Sequence, residues 1–253
     1  MIYIILSTDG NVGKTTTLRY VLQPALPNAR AVELEQVEVS DERAKAALAI
    51  REAGQKGRAT LAAVLAASAS RDLLLDVGAS LFDPAIDLIA DSRSRLIELD
   101  ITAVTPVVLA EGGDGRKALS HLARVQDALR ALDLPRLRRV VVANRAAATQ
   151  AAAAALTALG EACAAHGAEL CPTPLPTSEI FARGPELGYD LGALGQTDTA
   201  SLETQVGKAL DTGDVARVTE LGGLLLAYSE AARLAPICAQ IAREVIGEAR
   251  GHE

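Results

Sequence analysis

Residues Ser7-Thr-Asp-Gly-Asn-Val-Gly-Lys-Thr-Thr-Thr17 follow directly on the apolar run Ile2-Tyr-Ile-Ile-Leu6, and this stretch decides the fold. A buried strand that runs into a glycine-bearing turn, with Lys and Thr opening a helix, is the layout of a phosphate-binding P-loop. Gly10 and Gly13 let the backbone curl closely around an anion. Successive N–H groups, from Gly10 through Asn11, Val12 and Gly13 to Thr16, then point at it from a helix N-terminus. Lys14 reaches the β- and γ-phosphates and is the expected catalytic cation, while the Thr15 hydroxyl is a ligand for Mg²⁺. The alternative is a Gly/Asn-rich turn that happens to precede Lys-Thr. Against it stand the strand before, the helix after and a second motif downstream.

The composition bounds the rest. With 253 residues the chain can form one large α/β domain with a full core. Hydrophobic residues make up 49% but aromatics only 2%, so the core must be built from Ala, Leu, Val and Ile, which favours helix–sheet packing. A net charge of −7 argues against nonspecific nucleic-acid binding through the overall field. Cys163, Cys171 and Cys238 have no C-x-x-C spacing, and with His121, His166 and His252 scattered, no transition-metal site is suggested. No run has the length and apolarity of a membrane span, and the N-terminal run lacks the basic flank of a signal peptide. The expectation is a soluble, reduced, cytoplasmic protein.

Apolar strand-like runs alternate with helical patterns. Ile2–Leu6 predicts a strand, followed by a helix from Lys14 to about Leu22 that Pro24 stops. Ala31–Leu34 is a second strand, and Asp41 to Ser68 is helical in character. Leu73-Leu-Leu75 is a strand tipped by Asp76; Ile101–Val104 runs into Thr105-Pro106. Leu119, Leu122, Val125 and Leu129 mark one face of a long amphipathic helix. Val140–Ala143 ends at Asn144, residues 151–166 form a strong helix, and Pro172 to Pro176 stiffen a loop. From Ser201 onward the chain reads helical. Such alternation predicts parallel βαβ units, whose ligands sit at the strands' C-terminal ends. Lys14, Asp76, Pro106 and Asn144 all fall there.

Leu73-Leu-Leu-Asp76-Val-Gly78 has the form of a Walker B strand. Asp76 would hold Mg²⁺ through its water shell and offset charge during phosphoryl transfer; the plain alternative is a strand-ending Asp that caps a turn. The Asn144 amide can reach the edge of an adenine, or serve only a turn. Pro176 and its loop are candidates to wall the base, or rigid loop alone.

In these residues the chain resembles the ParA/MinD family of P-loop ATPases with a deviant Walker A motif. Against that family's K-G-G-x-G-K-T it reads Asp9-Gly-Asn-Val-Gly-Lys-Thr15, matching at Gly10, Gly13, Lys14 and Thr15. The Asp-x-Gly strand at Asp76, Thr105-Pro106 and Val-Val-Ala-Asn144-Arg145 follow in the family's order. Within the group it is most similar to StbB-type plasmid stability and conjugation ATPases, through Gly10-Asn-Val-Gly-Lys14 and Asp76-Val-Gly-Ala-Ser80. The resemblance implies a P-loop NTPase fold, with a mostly parallel sheet flanked by helices over residues 1–195 and a helical C-terminal extension, 196–253, packed on it. It implies ATP and Mg²⁺ as ligands and a weak ATPase activity. It also implies a protein partner in plasmid partition or transfer, direct or indirect DNA contact, and often an ATP-dependent homodimer.

The family's attacking water is held by an acid after the second strand, and the nearest matches are Glu33 and Glu35 in Glu33-Leu-Glu35, whose plain alternative is a charged loop. Asp9 stands among the loop residues beside the phosphates, at the position of the family's signature lysine, which contacts phosphate across the dimer. A carboxylate cannot make that contact, since it repels phosphate. Arg136, Arg138 and Arg139 cluster before a strand, with Arg145 beyond it, either a DNA contact or a solvated face. Two other functions fit the loop: a dethiobiotin-synthetase-like ligase, which needs a basic substrate pocket, and a non-hydrolysing nucleotide-gated binding module.

Overall fold

The computed structural model describes residues 1–34, 72–109, 115–146 and 149–247. The helical expectation for Asp41 to Ser68, and Glu35, lie outside the described residues. Seven strands form one sheet: β1 (Ile2–Ile5), β2 (Arg30–Leu34), β3 (Leu73–Val77), β4 (Ile101–Val108), β5 (Leu137–Ala146), β6 (Glu169–Leu170) and β7 (Leu175–Pro176). Their order is β2-β3-β1-β4-β5-β6, with β7 also pairing β5, and every pairing is parallel. This is the parallel α/β sheet that the alternation predicts.

A parallel sheet is covered on both faces, so its central strands carry apolar residues without alternation. All residues of β1 and β3 are buried, including Tyr3, Leu74 and Leu75 at 0% exposure. Four longer helices follow the strands: α1 over residues 14–25, α2 (Phe82–Asp91), α3 (Gly115–Ala131) and α4 (Gln150–His166). Ile4, Leu75 and Ile101 pack with Phe82 and Ile89 of α2 and with Val125 and Leu129 of α3. Val141 and Ala143 pack with Leu122 of α3 and with Leu159 and Cys163 of α4. The aliphatic character of this core matches the scarcity of aromatics.

Two prolines differ from expectation. Pro24 does not stop the first helix at Leu22; it sits within the last turn, Gln23–Ala25. The preceding Thr17–Leu22 is π-helical, and the Gln23 N–H bonds back to Leu18 O, so the widened turn carries the chain past the proline. Pro106 lies inside β4, which continues to Val108. The β1 pairing with β4 ends at Val104, and beyond it the partner on the other side is β5. With β1 turned away into its loop, the missing N–H at Pro106 costs no bond on that edge.

The strand order places β1 centrally, with β2 and β3 on one side and β4 to β7 on the other. Connections therefore leave in opposite directions at the C-terminal end of β1, and that crevice is where such sheets bind ligands.

The chain divides into two compact units, residues 1–177 with 241–253, and residues 178–240. The C-terminal region is helical as expected, with α5 (Ala200–Asp211) and α6 (Val215–Ile246). In the smaller unit, Gly195 lets a short helix lie against α6, where an added Cβ would come within 2.6 Å of Ala232 Cα. No helix among the described residues is long and apolar enough to cross a membrane.

Candidate functional site

The loop between β1 and α1 is shaped by two left-handed residues, Asn11 at φ 58 and Gly13 at φ 91. Asparagine tolerates that region, and glycine adopts it freely. At Gly13 the glycine is demanded twice over, because a Cβ would sit 1.9 Å from Asn144 Nδ2. At Gly10 a Cβ would meet no protein atom within 4 Å, so packing inside the protein does not require the glycine there. That space suits close backbone approach by a bound group. Thr17 closes the first helical turn, with its N–H and its hydroxyl both donating to Gly13 O at 2.9 Å.

Lys14 is buried, and its Nζ donates to Asp9 O at 3.1 Å, so the ammonium lies across the loop that precedes it. Thr15 Oγ1 donates to Asp76 Oδ2 at 2.8 Å. Asp76 is 2% exposed, at the tip of β3 next to β1. A hydroxyl and a buried carboxylate side by side form a hard, all-oxygen donor set. No group of three or more His, Cys, Asp or Glu side chains able to hold a metal occurs among the described residues. The Thr15 and Asp76 oxygens are the kind of donor that Mg²⁺ takes, one or two from protein with the rest of its shell from water and phosphate.

Asn144 lies within β5 rather than after it. It is buried, donates from Nδ2 to Val12 O at 2.7 Å and accepts from Arg145 N–H at 2.8 Å. Its amide thus braces the loop between β1 and α1. A bulge between Asn144 and Ala146 lets Leu175 and Pro176 join the sheet beside it, which brings Pro176 to the tip of β5. Thr16 is half-buried one residue beyond the Mg²⁺ candidate Thr15.

Glu33 stands opposite Asp76 in the β2–β3 register. Its Oε1 accepts from Arg19 of α1, at 2.6 Å from one terminal nitrogen and 3.1 Å from Nε. Nothing in the sequence links Arg19 with Glu33. The same holds for two other contacts near the site. His121 of α3 reaches back to Thr8 and Asp9 of the loop. Glu244, in the last turn of α6, accepts from the Thr173 hydroxyl at 2.7 Å, the Thr173 N–H at 3.0 Å and Cys171 Sγ at 2.8 Å. It thereby ties down the start of the proline loop. Burial, and then the Glu244 hydrogen bond, push the Cys171 thiol well above its ordinary range.

The basic cluster is mostly engaged within the protein. Arg136 donates to Glu98 O, Arg139 to Gly167 O, and Arg138 to the Glu169 carboxylate and the backbone of Glu244 and Val245. Burial, and then the charge of Arg130, lower the Arg139 pKa.

No protein-family model matches the chain, and no curated protein matches it. Solved structures do resemble it. Apo McdA from Cyanothece superposes with a TM-score of 0.51 at 16% identity, covering 88% of this chain and 98% of that one. A McdA–ATP complex from Cyanothece gives 0.49 at 16% identity, covering 77% and 90%. A Borrelia burgdorferi structure described as a plasmid partition protein, bound to AMPPNP, gives 0.47 at 13% identity, covering 70% and 87%. The likeness to apo McdA is one of fold: the chain shares its α/β architecture along most of its length.

Proposed function

We propose that the chain is a ParA/MinD-like, Mg²⁺-dependent ATP-binding protein with slow ATP hydrolysis, serving plasmid stability, partition or conjugative transfer in the cytoplasm. One observation carries the nucleotide reading: Thr15, in the first turn of α1, and Asp76, at the tip of β3, meet at 2.8 Å beside the buried Lys14. In this reading the loop amides and Lys14 bind the phosphates, and Lys14 exchanges its bond to Asp9 O for one to phosphate. Thr15 and Asp76 hold Mg²⁺, which supplies positive charge to the phosphates when bound. The plasmid role rests on the StbB-like residues 10–14 and 76–80. DNA would be reached through a partner protein rather than directly, since Arg136, Arg138 and Arg139 each donate to groups of this chain.

A second reading, a nucleotide-gated module that does not hydrolyse ATP, draws on Glu33. Its carboxylate, an expected water-holding acid, is in an ion pair with Arg19. Phosphate release from ATP by wild type and Asp76→Asn, with and without Mg²⁺, tests the proposal. A Mg²⁺-dependent release that falls by about tenfold or more in the variant is expected, a loss of about 1.4 kcal/mol in transition-state stabilisation. Release at the wild-type rate by Asp76→Asn refutes a metal role for Asp76. No release by wild type over long incubation, with ATP still bound, favours the gated module.

A further inference from the structure

Asp9 occupies the position at which a loop residue would face phosphate, yet its N–H, its carbonyl and its carboxylate each meet a partner within the chain. Its N–H donates to Ser7 Oγ at 3.2 Å, and its carbonyl accepts from Lys14 Nζ at 3.1 Å. Its carboxylate points the other way, towards α3: Oδ2 lies 3.6 Å from His121 Nε2 and 3.5 Å from Lys117 Nζ. The same imidazole has its other nitrogen, Nδ1, 2.7 Å from Thr8 Oγ1. One ring thus bridges two consecutive residues of the loop. The two partners are unequal. The Lys117 side chain is 74% exposed, and a pair that wet contributes little. His121 is 31% exposed, its ring is fixed through Nδ1 at 2.7 Å from Thr8 Oγ1, and its Nε2 lies 3.6 Å from the Asp9 carboxylate, so it is the less screened of the two and the one whose ring is held in place.

We propose that His121 is a positioning residue of the nucleotide site: it holds the Asp9 carboxylate against α3, away from the loop that receives phosphate. The inference rests on the ATP reading given above. Without the tether, a carboxylate one side-chain length from the phosphate loop is free to turn inward, where like charge at short range and reduced dielectric opposes binding. Asp9 then becomes tolerable in a P-loop because α3 supplies, within the same chain, the group that restrains it.

The restraint has a signature that mere structural support lacks: it should vanish when the charge at position 9 vanishes. ATP affinity with Mg²⁺ is measured for wild type, His121→Ala, Asp9→Asn and the double variant. His121→Ala is expected to weaken ATP by at least about fivefold, and by less than about twofold in the Asp9→Asn background. Wild-type affinity in His121→Ala, or the same loss in both backgrounds, overturns the proposal. A second measurement needs no nucleotide. Amide hydrogen exchange over residues 8–13 should quicken in His121→Ala relative to wild type, and unchanged exchange there also overturns the proposal. A wild type that fails to bind ATP refutes the ATP reading, and the exchange comparison still judges the tether.

Discussion

Gly13 and Asn144 should be energetically coupled, and the size of the coupling follows from their geometry. A Cβ at Gly13 would lie 1.9 Å from Asn144 Nδ2 and 3.0 Å from its Cγ. The amide would have to swing away, although it is the end of a short side chain, and in doing so it would give up Val12 O at 2.7 Å and Arg145 N–H at 2.8 Å. Gly13→Ala therefore combines left-handed strain of about 1–2 kcal/mol with the loss of both hydrogen bonds, about 2–4 kcal/mol, roughly 3–6 kcal/mol together. Asn144→Ala alone strips the same partners and should cost about 2–4 kcal/mol. With Asn144 already truncated the clash disappears, and Gly13→Ala retains only the backbone strain. The double variant should then fall short of the sum by at least about 1 kcal/mol. Urea unfolding of the four proteins, without nucleotide, gives all the terms. Additivity within about 0.5 kcal/mol would refute the bracing contact.

Two further expectations follow. Because Asp9 faces Lys117 and His121 of its own chain and offers no cation to a second subunit, ATP with Mg²⁺ should not convert monomer to dimer; a nucleotide-driven doubling of mass in light scattering would contradict this. Burial pushes the Cys163 thiol up to about 11 and the Cys238 thiol up to about 12, and Cys171 is raised as well, so at pH 8 all three stay protonated. Iodoacetamide should label them slowly in the folded protein and quickly once unfolded. The stability these raised values contribute is complete below the ordinary thiol value of 9.0 and lost as pH climbs towards the folded ones, so a rise in stability between pH 9 and 11 would contradict them.

What could be read in the chain was what the chain writes locally. The apolar run Ile2–Leu6, Gly13 with Lys14 and Thr15, and the strand ending in Asp76 each occupy a few consecutive residues, and the parallel sheet follows from how such runs alternate. Burial on both faces of β1 and β3 answers to their unbroken apolar sequence. The extent of β4 was less legible, because whether Pro106 ends a strand depends on which neighbour is paired at that level. Pro24 likewise reads as a stop until the π turn before it is known. Least legible were the pairs that tertiary packing alone brings together: Arg19 with Glu33, His121 with Thr8, Glu244 with Thr173, and Asn144 with Val12. In the last pair, Asn144 and the phosphate loop are 132 residues apart, and no local pattern records that an amide drawn as a base contact also braces the loop.

Nucleotide binding through Lys14 is measured by titration calorimetry of ATP with Mg²⁺ into wild type and a folded Lys14→Ala variant. Wild type should bind saturably, and the variant at least about tenfold more weakly, about 1.4 kcal/mol, because the charge-assisted bonds of the ammonium to phosphate are gone. Equal affinity in the two proteins, or no ATP binding by wild type, would contradict it.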